Sequence, residues 1–140
     1  MDNIISLKNI DKIYGETVKT QVLFDVSLDF EKESFTSIIG QSGSGKSTLL
    51  NVLGGLDKTQ AGVIDFDGQQ IVGYKSKTWD AIRTHKIGYF FQNYYLIPTL
   101  TVFENVALVL EMIGMKDDLE IRRRVHYILK QVGMYKFRKR

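Results

Sequence analysis

Apolar residues recur along this chain at two periods, and the switch between them marks its elements. Ile4 to Tyr14 alternates loosely through Ile5, Leu7, Ile10 and Ile13, which predicts a strand. After a polar loop from Gly15 to Thr20, Val22 to Phe30 alternates with period two. Val26, Leu28 and Phe30 are apolar around Ser27 and Asp29, the pattern of a half-buried strand. Glu31-Lys32-Glu33 reads as a charged turn, and Phe35 to Ile39 as a further strand. Lys46 to Leu53 places Leu49, Leu50, Val52 and Leu53 in a helix that Gly54-Gly55 stops. Val63, Ile64 and Phe66 predict another strand ending in an Asp67-Gly68 turn. Trp79 to His85 reads as a weak helix and Ile87 to Phe91 as an apolar strand.

The remainder is helical. Gln92 to Leu100 is a loop holding Pro98, the only proline. Thr101-Val102-Phe103-Glu104 is a capping box, in which a hydroxyl and a carboxylate each satisfy a free backbone N–H. The helix it opens runs to about Ile113 and closes at Gly114. Asp117-Asp118 caps a last helix whose apolar stripe is Ile121, Val125, Ile128, Leu129 and Val132, with Gly133 after it. Strands alternate with helices, so the predicted class is α/β, with an antiparallel N-terminal part and buried strands fed by it.

Composition narrows the chemistry. A chain of 140 residues fits one domain. It has no cysteine, so disulfides, thiolate metal sites and thiol nucleophiles are all excluded. Its two histidines, His85 and His126, stand far apart, which argues against a histidine-rich metal site. The longest apolar run, Val106 to Leu110, is far short of the roughly 20 residues a membrane span takes. The N-terminus lacks the pattern of a signal peptide, so a soluble cytoplasmic protein is expected. The net charge of +3 invites a nucleic-acid reading, but residues 122–140 carry eight basic residues and no acid. The rest of the chain is acidic, so basicity belongs to one end and a nucleic-acid partner is not expected.

The most specific chemical signal is Gly40-Gln41-Ser42-Gly43-Ser44-Gly45-Lys46-Ser47, a full match to G-x-x-x-x-G-K-S/T between an apolar segment and an apolar helix. Glycines let backbone N–H groups converge on phosphate oxygens, and the following helix points its positive end at the same place. Lys46 would reach the β- and γ-phosphates, and the Ser47 hydroxyl would take Mg2+. Two other matches are decoys. Asp65-Phe66-Asp67-Gly68 fits D-x-x-G, but no N-K-x-D guanine-reading motif accompanies it, and an Asp-Gly turn is the simpler reading. Ala107 to Glu111 resembles four apolar residues and a Mg2+-organising acid, yet it lies inside the helix that the capping box opens.

Leu23-Phe24-Asp25-Val26-Ser27-Leu28, followed by the phosphate loop and Thr48-Leu49-Leu50, resembles the ATP-binding cassette (ABC) transporter ATPases. Gly62 to Gly68 is similar to their strand after the loop helix, and Ile87 to Gln92 to their Q-loop strand. Gln92 to Val106, with Asn51 to Asp57, most resembles the lipoprotein-release, macrolide-export and antimicrobial-peptide-export subgroup. The resemblance covers residues 4 to 137 and implies a P-loop NTPase fold with an incomplete parallel core sheet.

It also implies roles. ATP and Mg2+ would be the cofactors, bound by Gly40, Gln41, Ser42, Gly43, Ser44, Gly45, Lys46, Ser47 and Thr48, with Ser47 and Gln92 at the metal. Tyr14 aligns with the aromatic that stacks on adenine, although by position alone it reads as a strand-end core tyrosine. The loop from Gln92 to Thr101, including Tyr94 and Tyr95, would meet a transmembrane permease subunit, partial burial of those tyrosines being the alternative. A second ATP-binding subunit and a place at the inner face of the cell membrane are implied too.

Two departures qualify this. The family usually has glycine where Glu33 precedes Ser34, and a left-handed Glu33 would cost about 1 kcal/mol. The L-S-G-G-Q signature, the catalytic glutamate and the switch histidine do not occur in these 140 residues. Residues 1–140 are therefore expected to be the N-terminal portion of one such domain, inactive in hydrolysis by itself. A stand-alone ATP- or GTP-binding switch is the alternative, and a basic RNA-binding domain rests only on charge.

Overall fold

β1 (Asn3–Tyr14) has both edges occupied. β2 (Thr20–Glu31) pairs along one, from Asn3↔Glu31 to Tyr14↔Thr20, and β3 (Ala61–Phe66) along the other, from Ile5↔Phe66 to Asp11↔Ala61. β4 (Gln69–Val72) completes an antiparallel sheet of order β2-β1-β3-β4. This computed structural model describes residues 2–72 and 76–140, which fall into two compact units, Met1–Ile87 and Gly88–Arg140.

The polar start of β4 hides it from a hydropathy pattern; the turn before it creates it. Asp67 and Gly68 both lie at positive φ (51° and 80°), as a two-residue hairpin whose twist matches its strands requires. The Gly68 N–H donates to Asp65 Oδ1 at 2.9 Å, so the D-x-x-G run is a hairpin turn.

β1 does not alternate strictly. Leu7, Ile10 and Lys12 are buried, a spacing of three and then two. The register with β2 shifts on both sides of Ile10, and Asn9 is left-handed at φ 52°. This bulge inverts the parity of the strand, so Lys12 follows Leu7 and Ile10 inward. Across the bulge, Asn9 Nδ2 donates to Asp25 Oδ1 at 2.7 Å.

Over this sheet pack α1 (Lys46–Leu53) and α2 (Ser76–His85), through Leu49, Val52 and Leu53 and through Trp79 and Ile82. Burying each such side chain contributes about 1.5–3 kcal/mol. Gly55 makes room for α2, since a Cβ there would stand 2.1 Å from the Trp79 ring. Arg83 donates to the Gly55 carbonyl and to Asp80.

In the second unit, α3 (Val102–Met112) and α4 (Asp118–Gln131) form a hairpin around Ala107, Ile121, Val125 and Leu129. The predicted stripe on α4 is only partly covered, for Ile128 and Val132 remain exposed. Ile121, Val125 and Leu129 form one i, i+4 row, and a single partner helix covers little beyond such a row. The 3-10 turn Tyr135–Phe137 brings the chain back, and the carbonyls of Arg140 and Arg138 accept from Val102 N and Phe103 N at 2.8 and 3.0 Å. The basic end thus satisfies first-turn donors of α3. Arg123 and Arg124 pair with Glu120 at 2.7 and 2.8 Å on an exposed face.

Two predicted strands are corrected. Phe35 to Ile39 and Ile87 to Phe91 form no ladder among the described residues, and Phe35, Ile39 and Phe90 are exposed. An apolar run becomes a strand only where a neighbour takes its N–H and C=O groups. Ile38 and Ile87 pack at the edge of the first core, so the apolar signal there is burial without pairing.

Candidate functional site

The glycine-rich loop rests on the start of β2. Gly45 is the N-cap of α1 at φ 92°, and a Cβ there would press on Val22 Cγ1 at 3.3 Å and Leu23 Cδ2 at 3.4 Å. A residue that must be left-handed and must let the loop lie on a strand is glycine on both counts. No side chain caps α1 and no acid stands in its first turn, so its leading N–H groups face the loop. Ser42, Gly43, Gly45, Lys46, Ser47 and Thr48 line, with Val22, an open hollow of about 500 Å³.

Lys46 spans the loop. Its ammonium donates to the carbonyls of Gly40 at 2.8 Å and Gln41 at 2.6 Å, with Ser44 Oγ at 3.5 Å. A positive charge is thereby held among the loop residues. Ser47 is exposed beside it on the first turn of α1, where its hydroxyl can serve a phosphate-bound cation. No group of three acidic or histidine side chains that could hold a metal occurs among the described residues.

Tyr14, the last residue of β1, belongs to the same neighbourhood. Its hydroxyl donates to Asp57 Oδ2 at 2.6 Å and is also hydrogen-bonded by the Thr48 side chain. Asp57 Oδ1 accepts from Lys12 Nζ at 2.6 Å, and that ammonium also donates to the Lys58 carbonyl at 2.7 Å. Burial and the bond to Asp57 raise the Tyr14 pKa above the usual phenol value. Burial works against a charged Asp57, but the bonds from Lys12 and Tyr14 and the Lys58 N–H outweigh it and hold the carboxyl below its ordinary range. Lys12 and Asp57 join Tyr14 and Thr48 here without a sequence signal, because only the bulge at Asn9 turns Lys12 inward.

The structure brings Tyr14 and residues 40–48 together in the first unit. Gln92 belongs to the second, exposed in the loop ahead of α3. Beside it, Tyr89 stacks on Phe91 and Phe91 meets Tyr95 edge-on, each with centroids 4.8 Å apart. Tyr94 and Tyr95 are exposed and left-handed (φ 59° and 48°), so partial burial does not describe them. Asn105 pins the end of this loop: Oδ1 accepts from Ile97 N at 2.8 Å, and Nδ2 donates to the carbonyls of Ile97, Leu100 and Thr101. A larger groove of about 810 Å³ between α3 and α4 is lined mainly by apolar side chains such as Val106, Val109 and Ile128. It has no glycine-rich backbone to receive phosphate. No helix among the described residues is long and apolar enough to cross a membrane.

The family described as ABC transporter matches residues 23–140. The macrolide export ATP-binding/permease protein MacB of Mannheimia succiniciproducens is 41% identical over 133 residues, which is 94% of this chain and 20% of that protein. MacB of Aggregatibacter actinomycetemcomitans is 38% identical over the same shares. Among solved structures, the dimeric ATP-binding cassette MJ0796 bound to ADP and Pi superposes with a TM-score of 0.86 at 37% identity, over 96% of this chain and 60% of that one. The protein cbiO1 from Clostridium perfringens, part of the ABC transporter complex cbiONQ, gives 0.78 at 29% identity, over 100% of this chain and 54% of that one. The chain thus spans about a fifth of the curated relatives it matches.

Proposed function

This chain belongs to the ABC transporter family and has the fold of its ATP-binding cassette, and from that premise we propose that residues 40–48 bind ATP as the nucleotide site of an export or extraction transporter. The observation that carries the reading is the loop itself. A left-handed Gly45 opens α1 without a capping side chain, and Lys46 is held across the loop. Backbone N–H groups and a helix N-terminus receive phosphate oxygens, and the Lys46 ammonium meets the outer phosphates. Mg2+ bound through Ser47 would neutralise phosphate charge. Gln92 is proposed as its second protein contact and Tyr14 as the base-stacking ring. In the longer protein, hydrolysis would drive transport at the inner membrane face. A second copy would complete the site, and a permease would meet the loop from Gln92 to Thr101. The exposed, left-handed Tyr94 and Tyr95 support a surface built for contact.

Titration of ATP with Mg2+ against the chain and its Lys46→Ala variant tests the reading. The variant is expected to bind at least tenfold more weakly, since a charge-assisted bond to phosphate contributes about 1.5–3 kcal/mol. Equal affinity would overturn it. A marked preference for GTP would favour a stand-alone switch.

A further inference from the structure

Lys12 is the one buried polar or charged side chain among the described residues, at 3% exposure. A buried ammonium is costly unless it is paired and hydrogen-bonded. Three features of the fold combine to keep this one. The bulge at Asn9 turns Lys12 inward. The turn after α1, with Leu56 N donating to Asn51 O at 2.8 Å and Asp57 N to the same carbonyl at 3.2 Å, brings Asp57 round. Residues beyond Asp57 are fastened to the end of β1, for Gln60 N donates to Asp11 O at 3.0 Å and Ile13 N to Gln60 Oε1 at 2.7 Å. The second carboxylate oxygen of Asp57 then takes the Tyr14 hydroxyl, and the Lys12 ammonium lies 4.5 Å from the Tyr14 ring centroid.

We propose that Lys12 and Asp57 are positioning residues for Tyr14, locking its ring beside the phosphate loop so that one fixed face receives the nucleobase. The proposal rests on the reading of residues 40–48 as a nucleotide site. Lys12 covers one face of the ring, so a flat partner stacks on the other. Asp57 and Thr48 hold the hydroxyl, which fixes the ring's reach from the first turn of α1. A freely rotating tyrosine would lose side-chain freedom on stacking; a held one has lost it already. The arrangement acts on the base and leaves the phosphates to the loop. It therefore separates from a general role in stability by the choice of ligand.

The test compares ATP with inorganic tripolyphosphate, both with Mg2+, by calorimetric titration of the full chain. Tyr14→Ala is expected to weaken ATP about 5- to 150-fold, the range for losing one base stack, and to leave tripolyphosphate within twofold. Asp57→Asn, which removes the charge that holds Lys12 and strengthens the bond from the hydroxyl, and Tyr14→Phe, which keeps the ring but removes the hydroxyl, are each expected to weaken ATP about 3- to 10-fold with tripolyphosphate again unchanged. Their double variant should be no worse than either alone. ATP affinity unchanged in Asp57→Asn and Tyr14→Phe would overturn the proposal. So would an equal loss for both ligands, which marks a folding role; Lys12→Met, with its melting curve, checks that outcome from the other end of the pair. Lys46→Ala should weaken both ligands together. If it does not, or if the wild-type chain binds neither, the phosphate-loop reading itself falls and this proposal with it.

Discussion

Glu33 shows how much one backbone angle can hold. It stands at φ 56°, in the left-handed region, at the turn between β2 and the segment leading to the phosphate loop. A side chain there costs about 1–2 kcal/mol, while glycine's extra freedom in the unfolded chain takes back about 0.4–1 kcal/mol. Glu33→Gly is therefore expected to raise stability by about 0.5–1 kcal/mol, read as a higher urea midpoint with an unchanged slope. A lower midpoint would mean that the Glu33 side chain contributes more than its conformation costs. The family resemblance marks this position in the sequence, because it implies glycine there. Lys12 and Asp57 carry no such mark, since 44 residues separate them and only folding makes them partners.

At the scale of elements, the helices end as their residues dictate. α1, α3 and α4 each finish with glycine in the left-handed region, at Gly55, Gly114 and Gly133. After each, two N–H groups turn back to carbonyls of the last turn, as Met115 N does to Leu110 O at 3.0 Å and Met134 N to Leu129 O at 2.7 Å. The start of α3 is equally local. Glu104 N donates to Thr101 Oγ1 at 3.2 Å and Thr101 N to Glu104 Oε2 at 2.7 Å, the reciprocal pair the spacing predicts. Thr101→Ala should cost about 1 kcal/mol. The measurement is hydrogen exchange: protection should fall first at Glu104 and Asn105, and then at Ile97, whose N–H depends on Asn105. Unchanged protection would show that the carbonyls of Arg138 and Arg140 hold this helix end without the box.

For the whole molecule, acid is the informative perturbant. Asp67 is held below its ordinary pKa by the bond from Lys32, Glu104 by the Thr101 N–H and hydroxyl, and Glu120 by Arg124 and Arg123. Asp57 joins them, with burial opposing and the bonds from Lys12 and Tyr14 prevailing. A carboxyl with a lower pKa folded than unfolded stabilises the fold above the unfolded value and loses that contribution as pH falls through the folded one. With unfolded values of about 3.9 for Asp and 4.3 for Glu, the urea midpoint should be flat from about pH 5 to 8 and fall steadily below about pH 4. A midpoint that held level down to pH 3 would show that these pairs contribute nothing net. Tyr14 works in the opposite sense. Burial and Asp57 raise its pKa, so its contribution is complete below about pH 10 and disappears as pH rises through the folded value.

What the sequence determined by itself is whatever depends on near neighbours or on a fixed spacing. The turn of the glycine-rich loop into α1, the capping box at Thr101, the Asp117 cap and the glycine stops all follow from residues within a few positions of one another. The α/β class followed from periodicity, and the family from the phosphate loop and the segments around it. Tertiary structure decided the rest. Phe35 to Ile39 has the residues of a strand but no ladder partner among the described residues, and Gln69 to Val72 has few of them yet pairs with β3 because Asp67 and Gly68 turn the chain. Strand identity is settled by what lies alongside, and only the folded chain supplies that. The same holds for Lys12: its local pattern gives a charged residue in a loose alternation, and the bulge at Asn9 decides that it points inward to Asp57.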